Sequence, residues 1–145
     1  MNVLLDTNIA LDVILRREPF YQNANKIVKD SRDGMYTAFV SASAVTDISY
    51  IAGRELRDKT LVMSRLKLLL ETVDIAAVTG VEIRRAIDLD WNDFEDCVQF
   101  TAGERLAVRY IITRDAGEQK AIRKTVLPLE ARSSFKFAYF EPLYS

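Results

Sequence analysis

The 145-residue sequence contains no histidine, and its single cysteine is Cys97. The missing histidine excludes Ser-His-Asp and Cys-His catalysis, histidine general bases and haem held by a proximal histidine. Zinc sites built from His and Cys are excluded as well. A single cysteine cannot form an intramolecular disulfide, which is typical of reducing compartments. Any catalytic chemistry must therefore use carboxylates, hydroxyls, amides and basic groups, together with a metal ion that prefers oxygen ligands.

The sequence also lacks a large net charge and long apolar segments. It has 20 Lys and Arg against 21 Asp and Glu, so the chain-wide basic character of a constitutive nucleic-acid binder is absent. The first 15 residues contain no Lys or Arg and include Asp6 and Asp12, unlike a signal peptide. No uncharged apolar run approaches the ~18 residues that span a bilayer. We expect a cytoplasmic protein without a membrane anchor.

Short apolar segments alternate with amphipathic ones along the chain. Strands are predicted at residues 3–5, 36–40, 73–78, 110–113 and, weakly, 126–127. Predicted helices begin at Asn8, at Pro19 and at Ser41 or Ser43, and others cover residues 57–70, 81–87 and 93–107. This alternation predicts a parallel sheet with helices on both faces. We assign residues 1–133 to one domain, and the aromatic tail 134–145 either to that domain or to an interface.

Acidic residues stand at positions that a parallel sheet brings to one edge. Asp6 ends the first predicted strand and Asp115 follows the fourth, and open parallel sheets bind ligands beyond the carboxyl ends of their strands. Helices between parallel strands begin at that same edge, which also places Asp47, Asp93 and Asp96 there. Four separate segments therefore contribute carboxylates to one edge of the sheet.

Each of these acids also has a structural explanation, because Asp is common at turns and in the first turn of helices. Asp93 and Asp96, for example, resemble a capping box. Their shared edge is the argument for function. Crowded carboxylates raise one another's pKa unless they share a cation. Oxygen ligands without His or Cys suit Mg²⁺ or Mn²⁺, which activates water and orients a phosphodiester.

Four segments resemble motifs of the PIN-domain nucleases. They are residues 3–8 (VLLDTN), 41–48 (SASAVTDI), 93–99 (DFEDCVQ) and 110–115 (YIITRD). The last two match the DFED…YIITR(D/N) pattern of one bacterial branch. The motifs occur in the family's order and cover nearly the whole chain, to about residue 132. The sequence is thus similar to PIN domains, and in particular to the VapC-type toxins of toxin–antitoxin pairs.

The resemblance implies a three-layer α/β/α sandwich with a parallel sheet of about five strands, and a Mg²⁺- or Mn²⁺-dependent ribonuclease that leaves 5′-phosphate and 3′-hydroxyl ends. The metal-binding catalytic acids that it implies are Asp6, Asp47, Asp96 and Asp115. The supporting residues that it implies are Asn8, Asp93 and Thr113. Asp47 stands where toxin relatives often have Glu, and Asp93 is an alternative to Asp96 because the two are three residues apart on one helical face.

RNA and protein partners are predicted as well. The basic side chains nearest the acidic edge are candidates for phosphate contacts: Arg114, Lys120, Arg123 and Lys124, with Arg16 and Arg17 as further candidates. The resemblance implies an antitoxin partner. The aromatic tail indicates a second subunit or an antitoxin peptide as its contact, so we expect a homo-oligomer such as a dimer.

Two other functions are compatible with parts of this pattern. One is a PIN-like module that binds RNA or protein without catalysis, although all four acidic positions are occupied. The other is an aspartyl-phosphate phosphatase, since a strand ending in Asp begins some of these enzymes. Such phosphatases need a second acid two residues further on, where this sequence has Asn8.

Overall fold

The computed structural model describes residues 1–114 and the strand Lys136–Tyr139. The strands are β1 (Asn2–Leu5), β2 (Thr37–Ser41), β3 (Asp74–Ala76), β4 (Tyr110–Thr113) and β5 (Lys136–Tyr139). The helices of the described residues are α1 (Thr7–Ile14), α2 (Tyr21–Arg32), α3 (Ala42–Leu56), α4 (Lys59–Leu70), α5 (Gly80–Leu89) and α6 (Phe94–Arg105).

The five strands form one parallel sheet in the order β3-β2-β1-β4-β5. The chain builds the sheet outward from β1 to β2 and β3, and then returns to the other side of β1 with β4. The strand order therefore reverses between β1 and β4, whose registers pair Leu5 with Ile112. A reversal of this kind opens a crevice at the carboxyl ends of the two strands, which is where parallel sheets bind ligands.

Helices cover both faces of the sheet, so the predicted parallel sheet within an α/β/α sandwich is confirmed. Val3 and Leu5 point into a core formed with α1, α2, α3 and α4. Leu4 points to the opposite face, where it packs with Ala102 of α6 and with Ile111 of β4. Successive β1 side chains are thus buried on alternate faces, which explains why this strand is an uninterrupted apolar run.

Several predicted boundaries change in the structure. Asn8 was expected to cap the first helix, and this is wrong: the chain leaves β1 at Leu5, Asp6 is extended (φ −63°, ψ 151°), and α1 begins at once at Thr7. The second helix begins at Tyr21 rather than at Pro19. Between the alternative caps of α3, Ser41 is the one used, and its hydroxyl accepts a hydrogen bond from the Ala44 amide.

Two further predictions concern the end of the chain. The strand predicted at residues 126–127 lies outside the described residues. The tail at residues 134–145, whose structure the sequence pattern did not define, contains β5, which pairs with β4 at the edge of the sheet. Among the helices of the described residues, none combines the length and the apolar character needed to cross a membrane.

Candidate active site

Asp6 lies at the carboxyl end of β1, in the crevice where the strand order reverses. Its amide donates a hydrogen bond to the carbonyl of Ile112 over 2.9 Å, which extends the β1–β4 pairing by one step. Its carboxylate accepts a hydrogen bond from the Thr113 hydroxyl, also over 2.9 Å, and both residues are buried. The structure therefore brings together two of the residues that the sequence assigned to one site.

The carboxylate of Asp6 does not cap the helix that follows it. Asp6 occupies the position where a side chain normally accepts hydrogen bonds from the first turn of α1, yet no such bond forms in the described part of the chain. At the corresponding positions of other helices, Ser41, Asp58 and Asp93 each accept one from an amide of the first turn. Capping thus accounts for Asp93 but not for Asp6, whose carboxylate is directed to Thr113 instead.

A second pair of carboxyl groups lies near the beginnings of α3 and α6. Asp47 is half-buried on the second turn of α3, and Glu95 lies on the first turn of α6. The pKa of Glu95 is raised, first by partial burial, and then by the charge of Asp47 and by a hydrogen bond with Asp47. Asp47 and Glu95 therefore lie close enough for the charge of one to affect the other.

Thr7 connects this carboxyl pair to the Asp6 side of the crevice. Its hydroxyl donates to Oε1 of Glu95 over 3.3 Å and accepts from Nε2 of Gln99 over 3.3 Å. Because Thr7 follows Asp6 directly, α1, α3 and α6 all meet at one place on the carboxyl edge of the sheet. The predicted convergence of separate acidic segments is present for Asp6 and Asp47.

Glu95 is a candidate functional residue that the sequence analysis missed. It stands in the DFED motif between Asp93 and Asp96, which were selected because the first turn of their helix was expected at the acidic edge of the sheet. The sequence does contain a pattern that could have identified Glu95. Glu95 and Gln99 are four residues apart, which places their side chains on one face of the helix. That face is the one that contacts Thr7.

The other predicted residues occupy different positions. Oδ1 of Asp93 accepts the Asp96 amide over 3.0 Å as the N-cap of α6, and Asp96 itself is half-buried in the first turn. Asn8 is half-buried in the first turn of α1. The predicted site residues that lie outside the described residues are Asp115, Lys120, Arg123 and Lys124.

Arg114, proposed above as a phosphate contact, is bonded to an acid on α1. Its Nε donates to Oδ2 of Asp12 over 2.7 Å, and its Nη2 lies 3.4 Å from Oδ1 of the same carboxylate. The guanidinium carbon also lies 4.2 Å from the centre of the Phe20 ring. Arg114 is therefore held against α1 and the segment before α2.

The carboxylate and hydroxyl groups that the structure describes at this edge offer oxygen atoms as ligands, which suits Mg²⁺ or Mn²⁺. Among residues 1–114, no three acidic or cysteine side chains converge closely enough to hold a metal ion alone. Water and substrate phosphate commonly complete the coordination of Mg²⁺, so a site for this ion need not be formed by carboxylates alone. The Asp6 carboxylate and the Asp47–Glu95 pair provide oxygen donors for such a site.

We expect Glu95→Gln to stabilise the protein when divalent ions are absent. A carboxyl group whose pKa is raised by folding destabilises the folded state once it has to ionise. This cost is absent below the unfolded pKa of about 4.3, grows as the pH rises towards the folded pKa, and is complete above it. In thermal unfolding with chelator, the variant should have a higher Tm than the wild type at about pH 8, and the difference should close towards about pH 4.

The control for this prediction is Glu71→Gln, which changes an exposed glutamate at the end of α4. A Tm difference for Glu95→Gln with the same pH dependence as the control would contradict the raised pKa of Glu95.

A parallel α/β/α sandwich with carboxylates at the crevice between its central strands is the architecture that the PIN-domain resemblance implied. The family model described as "PIN domain" matches residues 2–117, which is most of the chain. The chain therefore belongs to the PIN domain family. No curated protein matches it in sequence.

Solved structures of VapC proteins and toxin–antitoxin complexes share this fold. One is a chain of VapBC2 from Rickettsia felis, crystallised with a DNA fragment from the VapBC2 promoter. It has a TM-score of 0.68 and 15% identity, and the match covers 97% of this chain and 100% of that chain. VapC20 of Mycobacterium tuberculosis, described as a sarcin–ricin loop cleaving toxin, has a TM-score of 0.67 and 13% identity over 87% and 99% of the two chains. A toxin–antitoxin complex from Klebsiella pneumoniae has a TM-score of 0.62 and 17% identity over 87% and 97%.

Proposed function

We propose that this PIN domain protein is a Mg²⁺- or Mn²⁺-dependent endoribonuclease and the toxin of a toxin–antitoxin pair. The observation that carries the proposal is the orientation of Asp6. Its carboxylate is turned from the amides of α1 towards Thr113, in the crevice at the carboxyl ends of β1 and β4. Membership of the PIN domain family supports this function, as does the fold shared with VapC20, a toxin that cleaves the sarcin–ricin loop.

In this proposal three carboxylates, those of Asp6, Asp96 and Asp115, bind the metal ion. Asp47 assists a second ion or positions water. Asn8, Asp93 and Thr113 have supporting roles, in which Thr113 fixes the rotation of the Asp6 carboxylate and Asp93 caps the helix that carries Asp96. Glu95 joins this set through its contacts with Asp47 and Thr7.

When bound, a divalent ion polarises the phosphodiester and favours the ionisation of a water molecule. The protein contributes the position of the carboxylates and a place for the proton. Burial and the neighbouring charge of Asp47 raise the pKa of Glu95, which favours the protonated form of Glu95 while no cation is nearby. Positive charge nearby favours the ionised form of Glu95, which can then accept the proton released by the attacking water.

The proposal also covers the partners of the protein. Basic side chains close to the acidic edge bind RNA phosphates, and the candidates are Arg114, Lys120, Arg123 and Lys124. An antitoxin binds the protein and keeps it inactive. The expected assembly of the protein itself is a homodimer. The VapBC2 and Klebsiella complexes, which share the fold, support an antitoxin partner. The expected place of action is the cytoplasm, where RNA substrates are available.

The test is RNA cleavage by the purified protein with Mg²⁺, with Mn²⁺ and with chelator. We expect cleavage with either ion, no cleavage with chelator, and recovery when the ion is restored. The products should carry 5′-phosphate and 3′-hydroxyl ends, which labelling and ligation of the fragments will identify. A mixture of RNAs is the appropriate substrate, because the site geometry does not define a recognition sequence.

Other outcomes would favour different functions. Cleavage that persists at full rate in chelator would contradict the metal-dependent mechanism. RNA binding without cleavage under every metal condition would favour a non-catalytic PIN module. A phosphoryl group trapped on Asp6 would favour an aspartyl-phosphate phosphatase, although the residue two positions further on is Asn8, which lies within α1.

A further inference from the structure

Asp12 is a buried carboxylate that the mechanism above does not use. It lies in the middle of α1, and its side chain is 0% exposed. Burial raises its pKa, and the neighbouring guanidinium groups of Arg114 and Arg17 oppose that increase. Nη1 of Arg17 lies 3.9 Å from Oδ1 of Asp12 and Nε of Arg114 lies 2.7 Å from Oδ2. A carboxylate in this position needs such partners, because a buried charge without a partner is strongly destabilising.

Arg114 is held on two sides. Asp12 accepts hydrogen bonds from two of its nitrogens, at 2.7 Å and 3.4 Å, and the Phe20 ring packs against the guanidinium at 4.2 Å. The side chain of Arg114 is 26% exposed, so its head is partly shielded from water. A planar guanidinium with a two-point carboxylate contact and an aromatic face has little freedom to rotate.

This contact acts on the site through the backbone of β4. Thr113 and Arg114 are adjacent, and each is bonded to a different point on the segment that starts with Asp6. Thr113 donates to Asp6 at the beginning of α1, and Arg114 donates to Asp12 about 9 Å further along the helix axis. Two anchors at this separation fix both the position and the direction of the chain at the end of β4.

We propose that Asp12 is a positioning residue of the active site, which fixes the carboxyl end of β4 through Arg114 and so holds the Thr113 hydroxyl against Asp6. The catalytic consequence rests on the proposed nuclease function, whereas the effect on the end of β4 does not. Arg114 is therefore primarily a structural partner of Asp12. A phosphate contact would use the N–H groups of Arg114 that do not bond to Asp12.

The test compares Asp12→Asn with the wild type in two measurements. The first is hydrogen exchange of the Asp6 amide in metal-free protein, because this amide donates to Ile112 at the end of β4. We expect its exchange to become at least about tenfold faster, as is typical when a hydrogen bond to a charged group is lost. The second is Mn²⁺ affinity, measured by calorimetry, which should fall by about 10- to 100-fold, the usual cost of removing a residue that supports a ligand.

Asp12→Asn is expected to fold, because Asn matches Asp in size and both arginine heads remain partly accessible to water. Arg114→Lys provides a second variant that keeps the charge and loses the two-point contact. It should give smaller changes in the same direction. The matched control is Glu104→Gln. Glu104 lies near the C-terminal end of α6, whereas Glu95 lies at its beginning. The substitution breaks the pair with Arg85, whose Nε and Nη2 donate to the carboxylate over 2.6 Å and 2.9 Å. The control should change neither measurement.

The results separate the two proposals. If the wild type neither binds Mn²⁺ nor cleaves RNA, the nuclease function fails, while exchange of the Asp6 amide still tests the positioning role. If both variants leave that exchange at the level of the control, the positioning role is overturned. It is also overturned if the Ala44 amide, which is bonded to Ser41 away from β4, accelerates as much as the Asp6 amide, since Asp12 would then stabilise the fold as a whole.

Discussion

Asp6→Asn is expected to lower the rate of RNA cleavage by about 10²- to 10³-fold, the loss typical of removing one electrostatic contribution to a transition state. The substitution removes the negative charge that a divalent ion needs and leaves the size of the side chain unchanged. The Thr113 hydroxyl can still donate to an amide oxygen, so the crevice should keep its shape. The measurement is the initial rate at saturating Mg²⁺, together with the Tm of both proteins.

The control for this prediction is Asp58→Asn, the same chemical change at another helix N-terminus. Asp58 is the N-cap of α4, and its Oδ1 accepts a hydrogen bond from the Leu61 amide over 3.0 Å. It follows the C-terminal end of α3, whereas Asp47 lies near the beginning of that helix. Asn is as good a cap as Asp, so cleavage should remain at the wild-type rate. Equal rates for the two variants would show that Asp6 has no special part in the reaction.

Asp96→Asn and Asp93→Asn are expected to differ greatly, although the two residues are only three positions apart. Asp93 caps α6 through its side chain, and Asn can accept the same hydrogen bond. Asp93→Asn should therefore retain cleavage to within about threefold, because the change in capping energy is small. Asp96→Asn removes a proposed metal ligand and should reduce the rate by about 10²- to 10³-fold.

Cleavage rates and Mn²⁺ affinity should be measured in parallel for these two variants. A loss of both in Asp96→Asn, with neither lost in Asp93→Asn, supports the assignment. The opposite result would move the ligand role to Asp93, which the sequence allows because both residues occupy one helical face.

The sheet and its two helical layers were predictable because they depend on local patterns. An apolar run such as residues 3–5 indicates a strand buried on both faces, and strands alternating with helices indicate parallel pairing. The start of α1 was not predictable in the same way. Asp6, Thr7 and Asn8 are all common near helix starts, and only the pairing of Asp6 with Thr113, 107 residues away, distinguishes them.

The candidate site likewise has features that the sequence predicts and features that depend on the packed structure. Its location at the carboxyl edge followed from the order of elements, which placed Asp6 and Asp47 there. The role of Glu95 depends on which face of α6 meets Thr7, and this orientation is a property of the packed structure. The pairing of Arg114 with Asp12 spans 102 residues, so no short motif encodes it.

The distance along the chain between the two sides of the crevice has a consequence for synthesis. Asp6 precedes Thr113 by 107 residues, so it leaves the ribosome well before Thr113 and Arg114 do. Until then the carboxylate of Asp6 lacks the hydroxyl that orients it, and Asp12 lacks its guanidinium partner. A nascent or truncated chain that ends before β4 therefore cannot assemble the crevice.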